Sequence, residues 1–252
     1  MRKLVGRDLT ARFMGSTLGL AWAVLQPLAL VALYWFVFTT MFTTRVGGGG
    51  AHYAEFLVAG LLPWFAFNEG LIRSTTAMLD NAPLVRKLPL DFDVLVLVPN
   101  LSALIFECIG LAIFVAFLTW RGNFPGSIWL LPVALAIQFT LQAGIGLFLA
   151  ATQVFFRDLT HIVGFVLSIV FYLSPILYPV GGRFEKFFAW NPLTPLLGLY
   201  RRALLSGIPE AGAAAALPEP RSIVLVTVVA LAVFAVGRTV MHRSHGDLVD
   251  LI

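Results

Sequence analysis

The sequence predicts an all-α integral membrane protein with six transmembrane helices. Three observations carry that expectation. Of 252 residues, 59% are apolar and 12% charged, against about 45–50% and about 25% in soluble domains. The mean hydropathy is +0.90. Six apolar segments are long enough to cross about 30 Å of hydrocarbon, which takes about 20 helical residues. This composition excludes a disordered chain, a basic nucleic-acid-binding domain and an ordinary soluble enzyme. A single cysteine, Cys108, excludes a disulfide framework or a thiolate metal cluster within one chain. The net charge of +4 reads as Lys and Arg gathered at a cytoplasmic face, with no nucleic-acid partner.

Residues 1–14 open the chain as an amphipathic helix. Met1, Val5, Leu9 and Phe13 fall four apart, with Leu4 beside them, while Arg2, Lys3, Arg7 and Arg12 take the other faces. Such a helix lies in the membrane interface; a plain cytosolic tail is the alternative. A cleaved signal peptide does not fit. The apolar run that follows is about twice the usual length, and no small-residue cleavage site comes after it.

Span one, 18–42, carries no charged residue, whereas span two, 56–78, contains Glu69 and Arg73. Span three, 94–120, holds Glu107, and span four, 127–151, holds Gln138 and Gln142. Spans five and six are 162–180 and 223–241. Between them, residues 181–222 are too long for a turn and too apolar for a plain loop. Phe184, Phe187, Phe188 and Trp190 crowd there, and Pro179, Pro192 and Pro195 limit any helix to a short piece. Short apolar helices over 181–207 suit a re-entrant or interfacial hairpin at the outer side. No internal repeat or inverted symmetry is evident, which weighs against many secondary transporters. The chain therefore reads as one transmembrane domain, 1–252.

Orientation follows from Lys and Arg. With both termini inside, ten of them fall on cytoplasmic segments and seven on outer ones. The short loops decide it: Arg86 and Lys87 follow span two, with Arg73 in its second half, while the first and third loops hold only Arg45 and Arg121.

Catalytic signatures are missing. There is no G-x-x-x-x-G-K-[ST] to cradle a nucleotide phosphate, no H-E-x-x-H and no G-x-S-x-G. The glycines at 47–50 read as a flexible turn. No catalytic residue and no metal site is expected. Glu69 and Glu107 are the costly residues, since a carboxylate at mid-bilayer must be paired, hydrated or protonated. Glu69 and Arg73 are four apart, within reach of a pair. A structural role, a proton relay or a position nearer the interface all remain open. Gln138 and Gln142 read as helix-packing glue. Tyr34, Phe38 and Phe42 recur every four residues with Trp35 alongside; Phe165 and Tyr172 are seven apart, as are Phe171 and Tyr178. Flat rings suit weak, repeated contact with a sugar chain, and equally suit a lipid boundary.

Several short motifs occur in a telling order. They are Arg7-Asp8-Leu9 through Arg12-Phe13, Ser16-x-Leu18-Gly19-x-x-Trp22, Gln26-Pro27-Leu28 and Leu84-Val85-Arg86-Lys87 with Pro89. Then come Phe156-Arg157-Asp158-Leu159, Leu173-Ser174-Pro175-Ile176-Leu177-Tyr178, Asn191-Pro192-Leu193-Thr194-Pro195 and Tyr200-Arg201. Together they resemble the type-2 ABC transporter permeases that export O-antigen, capsule and teichoic acid, over roughly residues 7–205.

The resemblance implies a homodimeric permease in the bacterial inner membrane, with both termini cytoplasmic, working with a separate ABC ATPase. ATP and Mg would bind that partner, leaving this chain without a cofactor. The substrate would be a lipid-linked polysaccharide. The ATPase contact maps onto residues 81–93, with Arg86, Lys87, Leu88 and Phe92, and onto Arg7 and Arg12. The glycan path would run along spans one, two and five, past Tyr34, Trp35, Phe38, Phe165, Tyr172 and Tyr178. Glu69, Arg73 and Glu107 are the buried polar candidates. The same architecture could export a small lipid or an amphiphilic drug. An intramembrane enzyme acting on lipid-linked sugars is the reading from a different class.

Overall fold

Among the residues described in a computed structural model, seven α-helices and one 3-10 turn emerge from the pattern just set out. The description covers residues 2–11, 52–82, 91–179, 190–208 and 216–244, with isolated positions at 21, 22, 25, 28, 29, 32, 33, 36, 37, 188, 211 and 246. Among the described residues every regular element is helical. The helices are α1 (Arg2–Ala11), α2 (Tyr53–Asp80), α3 (Phe92–Trp120), α4 (Leu131–Phe155, entered through a 3-10 turn at Ile128–Leu130), α5 (Leu159–Leu173), α6 (Leu193–Leu205) and α7 (Pro220–Arg243).

Four of these are long and apolar enough to cross a membrane: α2, α3, α4 with its 3-10 turn, and α7. They occupy the expected spans two, three, four and six. The expected span one lies largely outside the described residues; its described positions are helical. The expected span five needs correction. Its helix stops at Leu173 after 15 residues, about 22 Å at 1.5 Å per residue. Residues 174–179 are not helical. Pro175 explains the stop: it brings no amide hydrogen, and it forces the residue before it out of the helical region. Ser174 accordingly sits at φ −103°, ψ 145°.

Helix α2 is the axis of the bundle. Its most apolar stretch is 72% buried, whereas that of α7 is 17% buried, so α7 lies at the periphery with Val224, Val228 and Leu231 facing outward. Those side chains suit lipid tails. The larger apolar core gathers Leu57, Leu61 and Leu71 of α2 with Leu196, Tyr200 and Leu204 of α6. A second core, at the end where α1 sits, packs Ala77 and Met78 against Phe92, Val96, Leu147 and Met241.

The peripheral helix is held by close approach rather than by bulk. Gly237 of α7 meets Gly144 of α4 so closely that a Cβ at either glycine would overlap the facing backbone. Small residues permit this where lipid provides no hydrophobic drive between helices.

Gly237→Leu should lower stability by roughly 1–3 kcal/mol or more through overpacking. The check is the thermal unfolding midpoint in detergent. Gly164→Ala is the control, since a Cβ there meets nothing within 4 Å. Equal midpoints for the two variants would contradict the close crossing.

Candidate functional site

Polar side chains gather in three layers along the bundle, each placed by α2. At the α1 end, Arg73 of α2 reaches back to the N-terminal helix. Its guanidinium lies 2.5 Å from Asp8 and 3.7 Å from Glu69 one turn earlier. Arg7 donates to Asn81 Oδ1 at 3.4 Å. These groups border a cleft of about 240 Å³ lined by Arg7, Asp8, Arg73, Asp80, Asn81 and Pro99. The amphipathic helix is therefore tied to the bundle by charge as well as by its apolar face. Close by, Asp93 at the start of α3 lies 3.5 Å from Arg238 and 3.4 Å from His242 at the end of α7.

The middle layer is buried. Asn100 donates to Ser74 Oγ at 2.7 Å and to Val96 O at 3.1 Å. Gln142 Nε2 donates to Ala66 O at 3.2 Å. Gln138 Nε2 donates to Glu107 at 2.6 Å and to Pro63 O at 3.4 Å. The Glu107 carboxyl is 3% exposed and neighbours the Tyr200 hydroxyl. Helices α2, α3, α4 and α6 thus share one polar layer. Gly70 makes room for it, since a Cβ there would collide with the Gln142 amide.

At the opposite end, Glu55 is 2% exposed and takes Arg121 at 2.5 Å, with His52 at 3.6 Å. That bridge joins the start of α2 to the end of α3. Among the described residues no group of three or more His, Cys, Asp or Glu side chains is placed to hold a metal ion.

The residues singled out from the sequence divide unevenly. Glu69 and Arg73 do lie together, but half-buried at the α1 end; Glu107 is the deeply buried one. Phe165 and Tyr172 project from one exposed face of α5, 69% and 65% exposed. Tyr178 lies beyond the helix end and donates its hydroxyl to Tyr172 O. Arg7 is at the cleft. Phe92, expected as a knob toward a partner, is instead buried in the second core. The start of an apolar helix turns its first aromatic inward, so Phe92 anchors the segment rather than presenting it. Arg12, Tyr34, Trp35, Phe38, Arg86, Lys87 and Leu88 lie outside the described residues.

Sequence reading missed Asp8 as the partner of Arg73, the Glu55–Arg121 bridge and the Asn100–Ser74 pair. Asp8 stood between two cations of the first helix. Asn100 follows Pro99 within an apolar run, a polar residue with no surface to occupy.

Several apolar helices long enough to cross a bilayer, with a sealed polar layer and an amphipathic helix fastened at one end, define a multi-pass membrane protein. The chain belongs to the ABC-2 type transporter family, whose profile matches residues 1–205. It is 27% identical over 211 residues to the O-antigen export system permease protein RfbA of Klebsiella pneumoniae, covering 81% of this chain and 80% of that protein. It is 31% identical over 207 residues to the protein of the same name in Myxococcus xanthus, covering 79% and 77%. Similarity extends to the polysialic acid transport protein KpsM of Escherichia coli, 24% over 208 residues, covering 80% and 79%.

The middle layer yields a test. Glu107→Gln keeps an acceptor for Gln138, whereas Glu107→Leu removes it from a dry site. The Leu variant should be the less stable of the two by about 1–3 kcal/mol, read as a lower unfolding midpoint in detergent. Equal stability of the two would show that Glu107 does not satisfy Gln138.

Proposed function

We propose that this chain is the membrane permease of an ATP-driven exporter that moves a lipid-linked polysaccharide of O-antigen type across the bacterial inner membrane. The observation that carries the reading is the match, along about four-fifths of the chain, to permeases named for O-antigen export. Two permeases would pair, and two ATPase chains would dock from the cytosol, supplying ATP hydrolysis with Mg. The reading gives each permease six spans, both termini in the cytosol, and residues 181–207 as short re-entrant helices on the outer side.

The geometry suits this division of labour. A partner can drive the permease only through contacts that differ between its own states. The α1 end is where such contacts would fall, with Arg7, Arg12 and the 81–93 segment carrying Arg86, Lys87 and Leu88. Motion applied to α1 would pass through the Asp8–Arg73 bridge into α2, the most buried span, and from α2 through the middle layer to α3, α4 and α6. Phe92 would hold the end of the coupling segment to the second core. Glu69 and Glu107 serve this reading as structural groups, holding Arg73 and Gln138.

The conduit would lie on the exposed face of α5, where Phe165 and Tyr172 stand with a neighbouring aliphatic surface of Val166 and Ile169. In the assembled exporter that face would meet span one, with Tyr34, Trp35 and Phe38, and a second copy of the chain. Rings bind sugar C–H faces weakly, which lets a long chain slide.

Co-expression with its partner ABC ATPase should give a complex of two permeases and two ATPases. Arg86→Glu with Lys87→Glu should weaken that complex, because charge reversal adds repulsion. Phe165→Ala with Tyr172→Ala should leave the complex intact and reduce the glycan reaching the cell surface several-fold. Native mass measurement reads the first pair of outcomes and surface glycan staining the last. A monomeric permease with full export, or normal export from both double variants, would contradict the proposal.

A further inference from the structure

Residues 174–179 leave the helix of α5 without starting another. In an apolar environment each backbone carbonyl exposed by such a break needs a donor from within the protein. Here side chains from three other places supply them. Tyr53 at the start of α2 donates its hydroxyl to Leu177 O at 2.5 Å. Asn191 Nδ2 donates to Leu173 O at 3.1 Å and to Ser174 Oγ at 2.9 Å. Arg201 of α6 donates to Pro175 O at 2.6 Å and to Ile176 O at 3.1 Å. The Ile176 amide closes on Ser174 O at 2.7 Å, and the Tyr178 hydroxyl on Tyr172 O. Every carbonyl from Tyr172 to Leu177 is met.

Arg201 is the unusual member. It is 5% exposed, and its guanidinium carbon lies 3.6 Å from the centroid of the Phe56 ring. Among the described residues no carboxylate pairs with it; its partners are two carbonyls and a π face. A buried charge held only by neutral groups is an expensive choice for stability alone. Gly60 of α2 keeps the space open, because a Cβ there would lie 3.0 Å from Arg201 Nη2 and 3.4 Å from Ile176 O. Both hydrogen bonds leave one terminal nitrogen, Nη2, while the guanidinium carbon sits against the Phe56 ring; the compact ammonium of Lys does not reproduce that pair of contacts.

We infer that Arg201 is a positioning residue for export: it bolts the non-helical end of span five to α6 and α2, and thereby fixes Tyr172 and Tyr178 at the mouth of the conduit. The inference rests on the export reading above. Tyr172 opens the caged stretch with its ring 65% exposed, and Tyr178 ends it with its ring 5.6 Å from Phe188. Without the bolt the stretch between them would lose two of its hydrogen bonds, and both rings would lose their fixed place.

The experiment uses the full transporter with its ATPase in a Cys108→Ala background. Amide exchange over residues 174–178 is read first, without any substrate, so the bolt has a signature independent of what is exported. Arg201→Gln should raise that exchange at least tenfold, Arg201→Lys less. Glycan exported per ATP hydrolysed should fall about tenfold in Arg201→Gln and partly recover in Arg201→Lys. A disulfide between Gly60→Cys and Ile176→Cys, where a Cβ at 60 would sit 3.6 Å from Ile176 Cγ2, should restore export to Arg201→Gln, whose shorter side chain vacates the space that the cystine needs. If Arg201→Gln does not insert, Arg201→Lys with and without the disulfide carries the same comparison. Unchanged exchange in the substituted protein overturns the bolt. Faster exchange with unchanged export per ATP overturns the positioning role, as does a formed disulfide that leaves the export of Arg201→Gln unimproved.

Discussion

A backbone carbonyl or amide left without a partner in hydrocarbon costs several kcal/mol, and nearly every feature of this protein answers to that cost. It makes the regular elements among the described residues helical, because a helix satisfies its own backbone. It also governs the departures from helix. At the end of α5 the freed carbonyls receive Tyr53, Asn191 and Arg201. Polar side chains obey the same rule: Gln142 turns to Ala66 O, and Asn100 to Ser74 and Val96 O. The hydrogen bonds that stitch helix to helix are thus the ones needed to keep dry polar groups satisfied.

That constraint also organises function. Because α2 donates or receives at all three polar layers, it joins the amphipathic helix at one end to the caged break at the other. On the export reading, an ATPase acting on the α1 end would have a path of charge pairs, buried amides and packed apolar surface toward α6. Helix α7 stands aside from this path. It crosses α4 at two glycines, turns many of its apolar side chains outward, and meets the start of α3 through Arg238 and His242 at Asp93.

Hydropathy and length placed α2, α3, α4 and α7 within a few residues, since twenty apolar residues in water-poor surroundings have few alternatives to a helix. The end of α5 was less legible. Ser174 to Tyr178 continue the apolar run, so a hydropathy window passes over Pro175, and the donors that make the break affordable come from residues 53, 191 and 201. Glu107 was visible as a cost and Gln138 as a polar residue on the next span, yet their pairing depends on the rotation of two helices that no local pattern states. Arg121 counted only as a loop charge and Glu55, just before the expected span two, drew no reading; the burial of Glu55 comes from tertiary packing. Phe92 was placed at the ATPase contact because the resemblance maps that contact onto residues 81–93, and only the packing of α2 and α4 turns it inward.

The central claim is that the chain moves a lipid-linked polysaccharide across a bilayer under ATP. Inverted membrane vesicles containing the permease, its ATPase and the lipid-linked glycan offer the most direct measurement. The account predicts that ATP makes the glycan inaccessible to an external glycosidase, and that the protection vanishes when the permease is omitted or the ATPase cannot hydrolyse ATP. Glycan that stays accessible with ATP, or that becomes protected without the permease, would contradict it.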